Sequence, residues 1–246
     1  MAQAGIHALV GAAVRRWMPQ DAESAQRAGR ANGTWLVLGV LLGNLLPDAD
    51  NLAVAVATIM KLPTEGLHRT FTHSLFTVVA FVAVFYLVGQ AVRQPRWVNL
   101  GLGLGAGILM HILLDLLIWF NGVEILWPIP FWVNLWSSMV PPVWFDKLMM
   151  PVEFLFFALY FLWLDVTARQ QGTDRDFRRT LRVWIYVQVA LFLVFTVLVY
   201  TLSKGFMIPY GAIYLFSLGL AIWVTIRMRQ TLEAMTSKSA VRISRQ

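Results

Sequence analysis

Long apolar runs limit what this chain can fold into. Five of them have roughly the 17–25 residues that a helix needs to cross a bilayer. They cover about 72–89, 97–120, 149–167, 182–203 and 207–227. The chain of 246 residues is also 58% hydrophobic and only 13% charged, whereas a soluble domain carries roughly 25% charged residues. The sequence therefore predicts an all-α, polytopic integral membrane bundle of about six to seven helices.

Composition divides the chain into four segments. Residues 1–130 form helices that carry most of the polar motifs, and 131–150 form an irregular interfacial cap. Scaffold transmembrane helices cover 151–228, and a basic cytoplasmic tail covers 229–246. The stretch 121–149 is rich in tryptophan and proline, which precludes a regular span and suits the membrane–water interface. It is interpreted either as a lid over a site or as a passive interfacial loop.

The positive charges predict an orientation. If the spans alternate, sixteen of the 20 Lys and Arg residues fall on one side, in the first linker, the 89–97 loop, the 168–182 loop and the tail. The other side receives Lys61, Arg69, Lys147 and Lys204. Basic residues accumulate on the cytoplasmic side, so both termini are expected there, in the inner (plasma) membrane. The net charge of +7 is thereby explained by topology, and nucleic-acid binding is not expected.

The four histidines of the chain all lie in or beside apolar runs, and cysteine is absent. His, Asp and Glu are therefore the available metal ligands. At a rise of 1.5 Å per residue, Asp48, His73 and His111 lie roughly 20–24 Å above the cytoplasmic boundary. His7, at about 12 Å, requires a tilted or deeper-set first helix. These segments converge on one level, in the outer half of the bilayer.

Two pairs of these polar residues predict metal ligation. His111 and Asp115 are four positions apart, so they lie on one face of a helix. An ionisable group costs about 2.5–3.5 kcal/mol at the bilayer centre, which favours a functional role over simple packing. Asp48 and Asp50 follow Pro47, and two carboxylates this close repel unless a cation or a shared proton intervenes. Helix capping by Asp50 is the alternative.

The stretch from His68 to Leu75 concentrates polar groups between apolar runs. His68 and His73 cannot face one point from a regular helix, because five positions turn it by about 140°. With Thr70 or Thr72 as the N-cap, His68 would lie in the preceding loop and His73 in the first helical turn. Arg69 would then either bind an anionic group or extend to lipid headgroups.

Glycines are spaced four apart in two of the apolar runs. Gly101 and Gly105, and Gly103 and Gly107, invite a dinucleotide-binding interpretation, but no strand precedes them. Together with Gly39 and Gly43 they predict close helix packing instead.

Several pieces of the first 130 residues, in this order, resemble the YdjM-type family of membrane-bound proteins. The pieces are Gly5–His7, Leu46–Asp50, His68–Ser74, His111–Asp115 and Gly122–Pro128. The resemblance implies a metal-dependent hydrolase. Asn51 departs from the pattern, because histidine often follows the second Asp, and Trp119–Asn121 replaces a small polar turn. The ligand order is also similar to that of zinc-dependent phospholipase C enzymes, which implies phosphoester chemistry and, by analogy, a bridging role for Asp115.

The sequence thus predicts a hydrolase that holds one or two divalent ions and activates water for attack on a phosphoester. Zinc is favoured, and manganese or iron would also suit histidine and carboxylate ligands. Asp50, or alternatively Asp48, would act as general base, and Arg69 would stabilise the anion. A lipid or lipid-linked phosphate and membrane lipids are the expected partners. Non-catalytic ion binding or transport, or a metal that staples helices, is the alternative. The candidate ligands are His7, Asp48, Asp50, His68, His73, His111 and Asp115.

Overall fold

A computed structural model describes residues 4–14, 32–202 and 205–232 of the chain. Its α-helices are α1 (Ala4–Val14), α2 (Asn32–Leu45), α3 (Asn51–Met60), α4 (Leu75–Ala91), α5 (Pro95–Ile118), α6 (Val143–Gln171), α7 (Arg178–Thr201) and α8 (Met207–Arg227). Short 3-10 helices cover Pro47–Asp50 and Phe71–His73, and the strands β1 (Val123–Glu124) and β2 (Trp132–Val133) pair antiparallel. The basic linker before α2, Lys204 and the tail from 233 onward lie outside the described residues.

The predicted all-α membrane bundle is confirmed. Among the described residues α5, α6, α7 and α8 are long and apolar enough to cross a membrane, and α2 with Pro47–Met60 forms a bent fifth candidate. Helices α1 and α4 are apolar but shorter. The described helices number eight and not six or seven, because the chain bends by 40° after α2 and α3 forms a separate helix.

Helices α2 and α5 pack with their backbones in contact. Any Cβ atom added to Gly39 or Gly43 would collide with the backbone of α5, and one on Gly103 or Gly107 would collide with α2. Gly101 and Gly105 instead face α4, where they make room for Phe85 and Val82. The predicted packing role of these glycines is confirmed, and it sets the depth at which Asn44 and His111 meet.

Helix α6 begins at Val143, earlier than the predicted start near 149, and it contains Pro151. Pro142 stands immediately before its first residue, where a missing backbone N–H costs nothing. The irregular segment therefore ends before the helix and includes the β1–β2 hairpin. The buried aromatic side chains of α6 fill the core against α7 and α8: Phe154, Phe157, Tyr160 and Phe161.

Candidate metal centre

Four parts of the fold bring all seven predicted ligands together. Helix α1 contributes His7, the Pro47–Asp50 turn contributes two aspartates, the loop before α4 contributes two histidines, and α5 contributes His111 and Asp115. These residues and Arg69 are called the metal centre below. The side chains of His7, His73 and His111 are completely buried. His7 lies beside Asp115 and His111, at the level that a tilted or deeper-set α1 would give it.

Four ligand atoms converge at the middle of the metal centre. The Nε2 atoms of His73 and His111 lie 3.1 Å apart. Asp48 Oδ1 lies 3.7 Å from Nε2 of His111 and 4.0 Å from Nε2 of His73. Asp115 Oδ2 lies 4.0 Å and 3.6 Å from the same two atoms. Both carboxylate oxygens thus lie within 4.0 Å of both imidazole nitrogens, and the four atoms come from three segments of the chain.

Hydrogen bonds behind the two rings indicate a tautomer with the proton on Nδ1. His111 Nδ1 lies 2.8 Å from the carbonyl oxygen of Asn44, and a carbonyl can only accept, so Nδ1 donates. His73 Nδ1 lies 2.9 Å from Thr72 Oγ1, and that hydroxyl donates to Asp50 Oδ2 at 2.7 Å. Protons on both Nδ1 atoms leave both Nε2 atoms as acceptors. Their lone pairs face each other and two carboxylates, an arrangement that a cation stabilises.

His7 extends this group on the side of α1. Its Nε2 lies 3.1 Å from Asp115 Oδ1. Its ring stacks on that of His111 with centroids 3.7 Å apart and planes inclined by 19°. His7, His111 and Asp115 are thus an alternative set of ligands, since the Nε2 lone pair of His111 can bind only one ion.

Asp50 connects the 3-10 turn to the loop before α4. Its Oδ1 lies 2.7 Å from His68 Nδ1, and its Oδ2 accepts from the backbone N–H of Arg69 at 3.2 Å. Although Asp50 immediately precedes α3, its side chain makes no capping hydrogen bond, so the capping alternative is wrong. Burial lowers the pKa of His68, and the hydrogen bond to Asp50 opposes that shift. At neutral pH the neutral His68 ring is thereby favoured.

The donors present fit a divalent metal ion. Three sets of side chains have ligand atoms within 4.8 Å of one another: His7, His111 and Asp115; Asp48, His73 and His111; and Asp50, His68 and His73. Within the described residues, His7 Nδ1, Asp48 Oδ2 and His68 Nε2 are buried without a hydrogen-bond partner. Buried polar atoms are rarely left unsatisfied, and a cation bound by histidine and aspartate would account for them.

Arg69 is held inside the metal centre. Its Nε lies 3.3 Å from Asp115 Oδ2, and its side chain is 3% exposed, so the expected alternative of extension to lipid headgroups is wrong. Its backbone has a φ of +62°, a left-handed conformation that costs a non-glycine residue roughly 1–2 kcal/mol. Contacts at both ends of the peptide maintain it, since its carbonyl oxygen also accepts from Glu124 N at 2.9 Å.

The loop before α4 differs from the prediction in its cap. Ser74, and not Thr70 or Thr72, is the N-cap of α4 and accepts from Phe76 N at 3.2 Å. Thr70 donates to the carbonyl of Gly66, and the Thr72 hydroxyl donates to Asp50. His68 lies in the loop as predicted, but His73 ends a 3-10 turn and does not enter the first turn of α4.

The segment after α5 fastens this loop in place. Leu75 N donates to the carbonyl of Ile125 at 2.9 Å, and Ser74 Oγ donates to that of Trp127 at 3.0 Å. The hairpin that contains β1 requires Gly122, whose φ is +72° and whose missing Cβ leaves room for the backbone of Val133. Residues 123–127 therefore help to shape the loop before α4, and the lid and passive-loop interpretations of 121–149 both stay predictions.

Sequence reasoning missed the role of Thr72 and did not single out Glu153. Thr72 lies within the singled-out stretch, but only the fold shows that it links His73 to Asp50. Glu153 is a completely buried carboxylate in α6 whose Oε1 accepts from Gly5 N at 2.8 Å, two residues before His7. An ionisable residue within an apolar span is itself a signal of function, and that signal was available in the sequence.

A helical membrane bundle that encloses a buried His/Asp centre defines the class of this protein: a polytopic membrane protein whose side chains could hold a metal ion. The chain belongs to the YdjM family, because the sequence model of the family described as "YdjM inner membrane protein" matches residues 1–205. This match includes every residue of the metal centre.

Curated relatives agree with this family. The chain is similar to proteins named "Inner membrane protein YdjM" from Escherichia coli (strain K12) and from Shigella flexneri. Each is 38% identical over 106 residues, which cover 40% of this chain and 53% of the relative. The chain thus spans about half the length of the curated relatives it matches. No solved structure matches it.

Proposed function

We propose that this chain is a membrane-embedded, metal-dependent hydrolase that cleaves a phosphoester in a lipid or lipid-linked substrate. One observation carries the proposal: the Nε2 atoms of His73 and His111 lie 3.1 Å apart and face the carboxylates of Asp48 and Asp115. Such a set of neutral imidazoles and carboxylates, held by outer hydrogen bonds, is typical of zinc sites. Manganese or iron would also suit these ligands.

The roles divide between two groups of residues. His73, His111, Asp48 and Asp115 would hold the first ion, and His7 would contribute to a second site that shares Asp115, because a carboxylate has two oxygens to offer. A bound divalent ion would supply Lewis acidity, which activates water and polarises a phosphoryl oxygen. Proton transfer and compensation of negative charge would fall to side chains that contact these ligands.

His68 and Asp50 form the proposed proton-accepting pair. Both oxygens of Asp50 already contact donors, so it acts best by orienting His68 through Nδ1. His68 Nε2 has no hydrogen-bond partner among the described residues and can accept the proton. This refines the predicted role of Asp50 as general base. The Arg69 guanidinium, buried next to Asp115, would offset the charge that develops on the phosphoryl group.

An apolar groove supports a lipid substrate. It has a volume of about 520 Å³ and is lined by side chains of α3 together with Leu62 and Leu67. Among the described residues that line it, Asp50 alone is charged. On α3, Leu52, Val56 and Ile59 are exposed, which in a membrane protein means contact with lipid. A hydrocarbon chain in this groove would bring its head group to the Asp50–His68 pair.

The same proposal includes the inner membrane as location, with both termini on the cytoplasmic side and the metal centre toward the outer leaflet. The relatives are named inner membrane proteins. The metal centre lies between the start of α4 and the end of α5, whereas Arg93 and Arg96 lie at the other ends of these helices. Basic residues favour the cytoplasmic side, so that arrangement supports this orientation.

A non-catalytic role is the second candidate: a helix-stapling metal or an ion-binding, transporting site. Complete burial of His7, His73 and His111 favours a staple, because structural sites are closed. The buried carboxylate of Glu153 on a separate helix favours ion movement. Neither observation accounts for the groove that reaches Asp50.

The test begins with the purified full chain in detergent. Bound metal is counted in the native protein, in His73→Ala and Asp115→Ala, and in Ser217→Ala, which changes a buried polar residue of α8 that pairs with Gln188. We expect stoichiometric metal in the native protein and in Ser217→Ala, and at least a tenfold loss in the other two, in line with the roughly 10–100-fold effects of ligand-shell changes. Metal retained in both site variants would rule out this centre.

Turnover is measured separately, on a panel of phospholipids and lipid-linked phosphates. Metal-dependent release of phosphate or of a phosphomonoester that is lost in His68→Ala would support the hydrolase. Stoichiometric metal with no release from any substrate of the panel would favour the staple.

A further inference from the structure

We propose that a second site, at the other end of α6 from the metal centre, binds the phosphate group of an anionic phospholipid. It consists of Arg169, Arg178 and Arg182 around Asp165 and is called the arginine cluster below. Glu153, which contacts α1 near His7, lies twelve residues before Asp165, or roughly 18 Å along α6. The arginine cluster is therefore separate from the metal centre, and its proposed role does not depend on turnover.

The charges of the arginine cluster do not balance. Asp165, whose side chain is 2% exposed, lies 3.0 Å from Arg178 Nε, 3.2 Å from Arg169 Nη2 and 3.4 Å from Arg182 Nε. One carboxylate thus holds three guanidinium groups together and leaves a surplus of two positive charges. Like charges this close repel, so the arrangement favours the arrival of a further anion.

Two of the three arginines contact Asp165 through Nε. Arg178 and Arg182 both reach the carboxylate through Nε, so their Nη groups do not make these contacts. The two residues are four apart on α7 and lie on one face. The side chains of Arg182 and Arg169 are 47% and 61% exposed. Planar guanidinium forks match phosphate oxygens in bidentate hydrogen bonds.

Contacts within the protein hold the surrounding loop in place. Asp174, in the turn between α6 and α7, accepts from Arg227 Nη1 at 3.2 Å and from Thr231 Oγ1 at 2.7 Å. Helix α6 ends in Gly172, whose left-handed conformation closes its last turn. These contacts fasten the turn to α8. A preorganised site loses less conformational entropy when a ligand binds.

Neighbouring aromatic residues place the arginine cluster at the level of lipid headgroups. Trp163 precedes Asp165 by two positions, Trp184 follows Arg182 by two, and Trp223 packs edge-on against Phe177 with ring centroids 5.3 Å apart. Tryptophan concentrates at the membrane–water interface. This position favours a phosphate that is carried by a lipid over one that is free in solution, which has the same recognition chemistry.

The test measures binding of short-chain phosphatidylglycerol to the purified full chain in a neutral detergent. Phosphatidylcholine and glycerol phosphate serve as the zwitterionic and the soluble probes. Because Arg169 and Arg182 are largely exposed, Arg169→Gln and Arg182→Gln should fold normally, which their unfolding midpoints would show. Arg93→Gln is the matched control, since Arg93 is an exposed arginine of the α4–α5 loop and its substitution removes the same charge.

We expect phosphatidylglycerol to bind more tightly than either other probe. Each of the two cluster substitutions should weaken that binding about fivefold, the usual contribution of one basic residue near an anionic surface, and Arg93→Gln should leave it unchanged. Equal losses in all three variants would mean diffuse charge attraction and would overturn the site. Glycerol phosphate binding as tight as that of phosphatidylglycerol would overturn the assignment to lipid.

Discussion

His73 and His111 present their Nε2 atoms to each other at 3.1 Å, from positions 38 residues apart in the sequence. The orientation of each ring depends on a hydrogen bond at its Nδ1 atom. His111 Nδ1 hydrogen-bonds to the Asn44 carbonyl oxygen. The Thr72 hydroxyl lies next to His73 Nδ1 and donates to Asp50, so it links the His73 ring to Asp50. The hydrogen bonds at Nδ1 therefore determine what the two Nε2 atoms can bind. Substitutions can test them in the same way as the proposed ligands.

Metal removal should lower the stability of the folded chain. A ligand present at about 100 times its dissociation constant stabilises a protein by about 2.7 kcal/mol, so we expect a chelator to lower the unfolding temperature of the native protein. The chelator should have no further effect on His111→Ala, which has lost a central ligand. Thermal unfolding in detergent, with and without zinc, measures this. An equal chelator effect in both proteins would contradict the site.

Gly43→Ala should weaken both folding and metal binding. The added methyl group would collide with the α5 backbone at Leu104, and overpacking typically costs about 1–3 kcal/mol. Separation of α2 from α5 would also withdraw the Asn44 carbonyl from His111. Gly219→Ala is the matched control, because a Cβ there meets nothing within 4 Å. Similar unfolding temperatures and zinc affinities in the two variants would refute the close-packing argument.

Two substitutions of Glu153 should show whether zinc binding depends on its hydrogen bond to Gly5 N or on its negative charge. Glu153→Gln keeps an oxygen that accepts from Gly5 N, whereas Glu153→Leu leaves this N–H of α1 buried and unpaired, at a cost of about 1–3 kcal/mol. We expect only the leucine variant to bind zinc more weakly, because α1 would no longer hold His7 beside Asp115. Equilibrium zinc titration measures the effect. Equal losses in both variants would instead indicate that the carboxylate charge matters.

Ser74→Ala should loosen the loop that carries His68, Arg69 and His73. The substitution removes both the N-cap of α4 and the hydrogen bond to the Trp127 carbonyl, and loss of an N-cap alone costs about 0.5–2 kcal/mol. Hydrogen exchange should then rise in residues 68–75. Thr196→Ala provides the comparison, since Thr196 bonds only within its own helix. Unchanged exchange in the loop would argue against the proposed fastening.

The fold class was readable from the sequence because apolar length and glycine spacing are local properties. The same holds for the selection of candidate ligands, since polar groups in apolar runs are costly wherever the chain takes them. The predicted N-cap of α4 was wrong because several hydroxyl groups in one short stretch could have taken that position. Thr72 donates a hydrogen bond to Asp50, and Ser74 occupies the N-cap position. Competition of this kind is decided by partners that are distant in sequence.

The sequence by itself determined a helical membrane bundle, the identity of the residues that meet in its centre, and the glycine seam that lets α2 approach α5. Only the tertiary structure decided which nitrogen of each histidine faces inward, that Arg69 is buried against Asp115, and that Glu153 anchors α1. The physical reason is that ring orientation and charge pairing depend on hydrogen bonds between separate segments. Their distances and directions exist only after the helices have packed.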